Sequence, residues 1–585
     1  MSKGEVKSEI VSLLDGGLTE GIDAVDGVKS AGKKYFLPGE SFKSWTNYGK
    51  ALWQTPQRFK DRALSRADEM KEVGDIRKRS ENEMRRTLNW WDLTWFGFGA
   101  VIGTGIFVLT GQEAHKDAGP AIVLSYALSG FSIMLSVFCF TEFAVEIPVA
   151  GGPFAYFRVE LGDLAAFIAA GNIILELVVG GAMVARSWTS YFATLLNHSP
   201  DDFRIHTNLP SDFNLLDPIA VVVTLLASLT AIVSTRLTSQ LNWISTALNT
   251  IIILFIIIAG FIKGNLSNLT PFLPYGVKGV LRATAVVYFA YGGFDVIATV
   301  AEETKNPSRD IPLGLLGSMS GITVIYCLMA LALVLMQSYI DLDVNAAYSL
   351  AFQSIGWKWA KYVVALGSLK GITTVLMMGA VKRGRYLMHI ARTHMIPPWF
   401  GLVSEKTGTP INGTAFMAIA SASVAFFSRL DVLSNLRAIS SLFIYALLSV
   451  ALLVRRHYLR GKTSASRAFL LTTFIVVIIC SSIGTSVYWA LSSGLIGYYI
   501  TVPVWFLATA GLALFVPQSR EAKLWGVPMV PWVPSLSIFI NVFLMGSLDY
   551  ESFVRFGVCT IVMLVYYAFF GLHASFDAFH SVGDT

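Results

Sequence analysis

Two glycine clusters lie inside long apolar stretches, where an uninterrupted helix would be the ordinary expectation. The first is Gly103-Thr104-Gly105 in "GAVIGTGIF", and the second is Gly292-Gly293 in "VVYFAYGGFDVIAT". Glycine costs a helix about 1 kcal/mol relative to alanine, and a break at membrane depth is tolerated only where it faces protein or water. Amides that begin a half-helix suit a carboxylate, and carbonyls that end one suit an ammonium group. The pattern therefore indicates a binding site for a zwitterion such as an α-amino acid.

A carboxylate inside an apolar segment is a second chemical signal. Glu176 lies in the middle of "IILELVV", and an ionisable group at that depth is a functional candidate because it is costly to bury. It could supply the counter-charge for a cationic substrate side chain. The alternative is a structural glutamate bonded to a neighbouring helix, with Arg186 as a candidate partner.

Further carboxylates lie close to the expected ends of apolar stretches. Glu142 and Glu146 are one helical turn apart and so share a face, and Asp295, directly after the second glycine cluster, could bond amides that the break frees. Some of these groups could form a gate that opens and closes, although ordinary interfacial ion pairs would give the same pattern. The other members of such a gate would be Arg158, Glu302, Glu303 and Lys305.

The composition sets the class of protein in which these residues operate. The chain has 585 residues, of which 54% are hydrophobic and only 14% charged, and its mean hydropathy is +0.58. Soluble domains are about 25% charged, so we expect a multi-pass membrane protein. Its four cysteines lie in apolar runs without CxxC spacing, which predicts neither disulfides nor a metal site. The net charge of +6 fits basic cytoplasmic loops, and we expect no nucleic-acid partner.

Apolar stretches of spanning length, about twenty residues, recur fourteen times, with the tenth centred near Leu447. Lysine and arginine alternate between the loops in a way that predicts an even number of spans and both termini in the cytosol. The two glycine clusters fall five spans apart, which is the pattern of an inverted five-plus-five repeat. We expect a cytosolic arm at 1–89, a ten-helix core at 90–457, four accessory helices at 458–573 and a cytosolic tail at 574–585.

Longer motifs around these residues carry a family resemblance. "GFGAVIGTGIFVLTG", "TEFAVEIPVAGGPFAYF" and "FAYGGFDVIATVAEETKNPSRDIPLG" resemble the amino acid-polyamine-organocation superfamily, and within it the cationic amino acid transporters of the plant branch. The resemblance implies an all-α, LeuT-type fold with a 5+5 core and four additional helices. It also implies that the substrate carboxylate binds at Ile102, Gly103, Thr104 and Gly105. The α-amino group would bind main-chain carbonyls of Phe289, Ala290, Tyr291 and Gly292, and Phe294 would line or gate the pocket.

One departure from the resemblance concerns ion coupling. Proton-coupled relatives have a lysine in the fifth span where this chain has Asn249, and an amide does not titrate. Coupling, if protons take part, would then use another group such as Glu176, and uniport becomes a credible alternative. The leading interpretation is a permease for cationic amino acids such as arginine and lysine. A permease for neutral amino acids or polyamines, and an amino acid-sensing transporter-receptor, are the alternatives.

Other function classes find little support in the sequence. Membrane-embedded enzymes need clustered nucleophiles and bases at depth, whereas the histidines here lie in or near loops and span ends, so we expect no catalytic residues. The chain has no GxxxxGK[ST] segment, which argues against an ATP-driven pump, and no cofactor is expected. The plasma membrane is the expected location, with the vacuolar membrane as the alternative. The oligomeric state stays open.

Overall fold

A computed structural model of the chain describes most of its length. The described residues are 37, 39–62, 88–147, 152–208, 210, 213–233, 235–299, 301, 304–404, 407–459, 461–491 and 496–581, and the side chains at 104, 235–246, 299 and 581 are not among the described parts. Glu302, Glu303 and most of the arm at 1–89 therefore lie outside the described residues.

The described chain is almost entirely helical. Its helices are α1 Trp45–Trp53, α2 Thr55–Arg62, α3 Trp90–Val101, α4 Thr104–Glu113, α5 Ile122–Glu146, α6 Pro153–Glu160, α7 Asp163–Leu195, α8 Pro218–Val233, α9 Thr235–Lys263, α10 Gly276–Val287, α11 Val296–Thr299, α12 Pro307–Met336, α13 Ala347–Ser354, α14 Lys358–Ala391, α15 Ile411–Phe427, α16 Leu430–His457, α17 Ala465–Leu491, α18 Ile496–Phe515, α19 Trp532–Met545, α20 Tyr550–Tyr566 and α21 Leu572–Ser581. A two-stranded antiparallel sheet pairs β1 Ile205–His206 with β2 Leu215–Leu216.

Length and composition identify the segments that can cross a membrane. Within the described ranges, nine helical segments are long and apolar enough to span, and four shorter apolar helices accompany them. The shorter ones are Pro218–Val233, Ala247–Lys263, Ile411–Phe427 and Trp532–Met545. The chain is thus a multi-pass helical membrane protein, as the composition predicts.

The helices pack around one large apolar core with a smaller one beside it. In the large core, α12 packs along α3 and α5, and α7 packs against α14 and α16. The smaller core joins α16 to α17, α18 and α19 and contains Leu453, Ile478, Leu512 and Ile538. The outward faces of α17 and α18 expose large apolar side chains such as Phe469 and Leu514, which suits contact with lipid.

The described part of the N-terminal arm packs against the C-terminal helix. Ser41 donates from its backbone N–H to Asp577 Oδ2 at 2.8 Å, and Arg58 pairs with the same carboxylate and lies over the Phe576 ring. Arg62 pairs with Asp163 at the start of α7. The chain near its two ends is thereby tied to the core. The expected boundary between accessory helices and tail, at 573/574, falls inside α21.

Candidate functional site

The first membrane helix is interrupted at the first glycine cluster. Asn89 begins α3 with a capping box to Asp92, and the helix ends at Val101. Ile102 then takes an extended conformation, with φ −69° and ψ 95°, and Gly103 forms the N-cap of α4. The half-helix α4 therefore begins at this depth with backbone amides that no preceding turn can bond. The side chain of Thr104 lies outside the described parts, but its backbone begins α4.

The apolar helical segment that contains the second cluster is interrupted there. Helix α10 ends at Val287, and a 3-10 turn over Tyr288–Tyr291 follows. Gly292 is extended, with φ −66° and ψ 147°. Gly293 has φ +116°, which is a region that residues with a side chain rarely adopt. The short helix α11 resumes at Val296. Both helix breaks that the glycine clusters predict are therefore present.

The two breaks lie directly against each other. A Cβ added at Gly105 would come within 2.7 Å of the Ala290 Cα, and one added at Gly293 would come within 2.7 Å of the Ala100 carbonyl oxygen. The buried hydroxyl of Tyr326, on α12, lies 3.1 Å from the Val101 carbonyl oxygen and 3.0 Å from that of Ala290. One hydroxyl thus supports carbonyls on both sides of the contact.

Several of the expected binding groups already have partners inside the protein. The Phe289 carbonyl accepts from the Gly292 N–H at 2.9 Å, and the Ala290 carbonyl contacts Tyr326. Each carbonyl keeps a second lone pair, so an ammonium group could still bind there. The side chain of Tyr291 has a different task, because it is fully buried and its hydroxyl donates to the Tyr126 carbonyl at 2.8 Å. Whether these groups hold substrate stays a prediction.

Glu176 faces an arginine that the sequence analysis does not include. Arg437 Nη2 lies 3.8 Å from Glu176 Oε1, with side chains 16% and 19% exposed respectively. The guanidinium carbon lies 3.9 Å from the centroid of the Phe289 ring. A Cβ at Gly180 would collide with the same guanidinium, and a Cβ at Gly292 would lie 4.0 Å from Nη2. Gly180 on α7 therefore makes room for this cation, which lies beside the second break.

Arg186 is not the partner of Glu176. Its guanidinium donates to the carbonyl oxygens of Ala425, Ser428 and Leu215 at 3.1, 2.6 and 2.9 Å. It therefore ties α7 to the end of α15 and to β2, and its role is structural. Arg437 escapes the sequence analysis because it lies near one end of a span that the hydropathy centres near Leu447. The rule that an ionisable residue in a membrane helix deserves a functional test would have found it.

A second ion pair lies on the other side of the second break. Lys382 Nζ donates to both oxygens of Asp295, at 2.8 and 3.1 Å. The neighbouring Arg383 is 3% exposed, and its Nε and Nη2 have no hydrogen-bond partner within the described residues. The groups closest to the break thus comprise two carboxylates and three cations. This positive balance is not evident from the spacing of the residues in the sequence.

Phe294 lies in a fully buried aromatic stack. Its ring is edge-on to Phe140 at 5.2 Å and stacked on Tyr445 at 5.4 Å between centroids. The side chain therefore packs α5 and α16 against the chain just past the break. This position is compatible with the expected role as a gate, but in this conformation the ring lines no open pocket.

The carboxylates at the end of α5 bind α16 and the loop before α19. Arg456 Nη2 donates to Glu142 Oε2 at 2.9 Å, and the Val527 N–H donates to the same oxygen at 2.8 Å. Glu146 accepts from the N–H groups of Lys523 and Leu524, each at 2.8 Å. Arg158, an expected member of the gate, pairs with Asp163 at 3.1 Å, and the gate itself stays a prediction.

Asn249 lies on α9 and packs against α14, the helix that also contains Lys382 and Arg383. A Cβ at Gly371, on α14, would be 2.8 Å from both Nδ2 and Oδ1 of Asn249, and the residue is 8% exposed. The amide thus occupies a tight contact between two helices. Whether Asn249 takes part in the coupling of transport to protons is not tested by this contact.

Two interrupted helices that meet inside a multi-pass helical bundle, with charged side chains buried beside them, define a permease of the amino acid transporter type. A sequence model of the amino acid permease family matches residues 88–458, and a model of the C-terminal part of such permeases matches 525–575. The chain is 64% identical to cationic amino acid transporter 5 of Arabidopsis thaliana over 94% of its length and 97% of that protein's. It is also 57% identical to cationic amino acid transporter 1 of the same plant, over 94% of both chains.

The chain therefore belongs to the cationic amino acid transporter family, in its plant-type branch, and this is a family of amino acid transporters rather than enzymes. A more distant relative is the methylthioribose transporter of Bacillus subtilis, which is 35% identical over 68% of this chain and 87% of its own. The related sequences thus include proteins named for different substrates.

The contact between the breaks leads to a stability prediction. Gly293→Ala places a Cβ against the Ala100 carbonyl in a backbone conformation that alanine disfavours, and such strain costs about 1–3 kcal/mol. We expect the apparent melting temperature of the detergent-purified protein to fall by several degrees, with loss of transport. Gly557→Ala is the matched control, because a Cβ there meets nothing within 4 Å. Equal melting temperatures for the two variants would contradict the tight contact.

The Glu142–Arg456 pair permits a double-mutant cycle. Glu142→Gln leaves a guanidinium buried without its counter-charge, which typically costs about 3–5 kcal/mol, so we expect a marked fall in the melting temperature. Glu142→Gln with Arg456→Gln should cost less than the sum of the single changes. Glu551→Gln removes an exposed partner of Arg555 and should have little effect. Strictly additive single changes would show that the two groups do not interact.

Proposed function

We propose that this protein is a permease for cationic L-amino acids such as arginine and lysine, which moves them by alternating access around a site between the two helix breaks. The main support is the Arg437 guanidinium, stacked on Phe289 and paired with Glu176. An aromatic face and a carboxylate are the two groups that bind a guanidinium best. The site beside the second break is therefore suited to the side chain that distinguishes arginine and lysine from other amino acids.

The arrangement of helices supports an inverted 5+5 core with four further spans, fourteen in all. We count α3 and α4 as the first span and α10 to α11 as the sixth, so that each span of the first half has a counterpart five places later. The first span packs on the seventh, and the sixth packs on the second. The fifth packs on the eighth, and the tenth packs on the third. Adding or subtracting five converts the first contact of each sentence into the second. Such equivalent contacts in the two halves are expected of an inverted repeat.

In the proposed binding mode the two ends of the amino acid bind the two breaks. The α-carboxylate binds amides at Ile102–Gly105, where α4 begins and its dipole is positive. The α-amino group binds the free lone pairs of carbonyls at Phe289–Gly292. The side chain then points towards Phe289 and Glu176. Lipid surrounds the fourteen spans, both termini are cytosolic, and the plasma membrane is the proposed location, although relatives also include a protein named as vacuolar.

Arg437 then acts as a cation that the substrate displaces. In the empty site its guanidinium neutralises Glu176, which otherwise would be a buried charge without a partner. A substrate guanidinium or ammonium takes over the same contacts and releases Arg437 from the Phe289 face. If Arg437 leaves the site as the substrate cation enters, the charge of the site stays constant along this step, and no additional uncompensated charge is buried when access changes from one side to the other.

Neutral amino acids are the second candidate substrate class, and one observation favours them. Lys382, Arg383 and Arg437 outnumber Glu176 and Asp295 around the break, and a further cation would add to this positive balance. If Arg437 holds Glu176 permanently, the pocket that remains suits an uncharged side chain. In either case Asn249 provides no titratable group in the fifth span, so any proton coupling would use Glu176, and uniport is the simpler form of the mechanism.

The substrate class is tested by uptake of radiolabelled arginine and glutamine into proteoliposomes, with and without a pH gradient. We expect the wild type to accumulate or exchange arginine in preference to glutamine. Glu176→Gln should reduce arginine uptake at least about tenfold, because a desolvated counter-charge is lost, while any glutamine uptake survives. Arginine uptake that is unchanged in this variant would refute the proposed role of Glu176. Glutamine preference in the wild type would favour the second candidate.

The displaceable cation is tested by a series at position 437. We expect the half-saturating arginine concentration to fall about threefold or more from wild type to Arg437→Gln, because the substrate no longer competes with an internal cation. Arg437→Lys should be intermediate, because a lysine ammonium lacks the planar stack on Phe289. Arg383→Gln, which removes a nearby buried cation that is not paired with Glu176, is the control. A rise in the half-saturating concentration in Arg437→Gln would instead make Arg437 a substrate ligand.

A further inference from the structure

A charged cavity opens at the end of α4, away from the face on which the N-terminal arm packs. Its volume is about 320 Å³, and it is bounded by the end of α4, the start of α16 and the start of α20. In the orientation proposed above this is the outer face of the membrane. The cavity wall includes Asn435, two residues before Arg437 on the same helix. The cavity therefore lies along α16 from the proposed midplane site.

Most charges around this cavity are balanced by partners across it. Arg282 pairs with Asp117 at 3.6 Å, and Lys116 pairs with Asp431 at 3.3 Å. Arg555 and Glu551 form a third pair at 2.9 Å. Asp549 accepts from the Asn435 side chain at 2.6 Å and from the Ser552 N–H at 2.9 Å as a helix cap. Five carboxylates thus face three cations, and two of them, Asp549 and Glu113, form no ion pair within the described residues. Both oxygens of Asp549 accept hydrogen bonds, so one carboxylate is left with an oxygen that no nitrogen or hydroxyl donor of this part of the chain reaches.

That carboxylate is Glu113. It is 2% exposed, and its Oε1 accepts from the Gln112 side chain at 3.2 Å. Its Oε2 accepts no hydrogen bond from a nitrogen or hydroxyl donor within the described residues, and the neighbour within hydrogen-bonding reach of its carboxyl is another carboxyl, that of Asp117. A buried carboxylate oxygen without a partner is costly. The carboxylate of Asp117 lies nearby and adds like-charge repulsion, which a bound cation relieves.

We propose that this cavity is a second binding site, in which Glu113 receives the ammonium or guanidinium group of the cargo before it reaches the helix breaks. This inference rests on the proposed function for the identity of the cargo. The Arg282–Asp117 and Lys116–Asp431 pairs join different segments and hold the walls in place, whereas the Arg555–Glu551 pair lies within α20 at the rim. Glu113 is then the carboxylate available to a bound cation. No group of three metal-ligating side chains occurs among the described residues, which favours an organic cation over a metal ion.

A binding site on one face of a carrier alters the apparent affinity for substrate that arrives from that face only. The test therefore compares arginine uptake from the two sides of the membrane. Arginine uptake is measured in proteoliposomes sorted by orientation with a C-terminal tag. We expect Glu113→Gln to raise the half-saturating arginine concentration about three- to tenfold from the cavity side, with the opposite side and the maximal rate unchanged. Glu113→Asp should restore part of the loss. Glutamine kinetics should not change, because glutamine has no cationic side chain.

Two control variants distinguish the loss of the Glu113 site from a general change in surface charge and from a change at the midplane site. Glu551→Gln removes a charge from the same cavity rim but one that already pairs with Arg555, so its kinetics should match the wild type. Glu176→Gln should alter arginine affinity from both sides. An unchanged half-saturating concentration in Glu113→Gln, an equal rise from both sides, or an equal rise in Glu551→Gln would each overturn the proposal.

A binding measurement keeps the inference testable if the wild type carries no arginine, in which case the proposed function fails. Binding of methylguanidinium to the detergent-purified full-length protein is then measured by titration calorimetry. We expect Glu113→Gln to weaken or abolish one class of site that Glu551→Gln retains. Identical isotherms for the wild type and Glu113→Gln would overturn the cavity site independently of transport.

Discussion

The site depends on how two interrupted helices satisfy their backbone within a membrane. Hydrocarbon offers no partner for a free amide or carbonyl, so the ends of broken helices must bond to protein or to a ligand. Here the breaks approach so closely that glycine is required at Gly105 and Gly293, and Tyr326 contacts one carbonyl from each. Part of the freed backbone is therefore bonded internally, and the proposed ligand site uses the amides that open α4.

The sequence predicts this part of the structure well because its causes are local. A glycine pair alone does not break an apolar helix, since α7 continues through Gly180 and Gly181, but both breaks lie where the clusters at Gly103 and Gly292 indicate. Helix α16 ends at His457, the position at which the sequence analysis ends the ten-helix core, and the division into core and accessory helices stays a prediction. Hydropathy alone also identifies the multi-pass class. Fold features that follow from periodicity and helix propensity need no knowledge of the neighbours.

The partners of the charged residues could not be predicted in the same way, because they depend on which helices become neighbours. Glu176 pairs with Arg437, which is 261 positions later in the chain, and Glu142 pairs with Arg456 rather than with residues near it in sequence. Positive-inside arguments assign a side of the membrane but not a partner. Arg455 and Arg456, at the end of α16, are both buried and bind carboxylates.

The distribution of the ion pairs has a consequence for alternating access. The pairs that Glu142 and Arg456 make join α5 to α16, while the pair of Glu176 and Arg437 joins α7 to the same α16. In the mechanism that we propose, the first and sixth spans move against α7, and this movement acts on α16 at both ion pairs. A ligand shifts a conformational equilibrium only by its difference in affinity between the states. A substrate cation that released Arg437 would change one of these two attachments and leave the other intact, so in this mechanism occupancy of the site alters which helices α16 is held to.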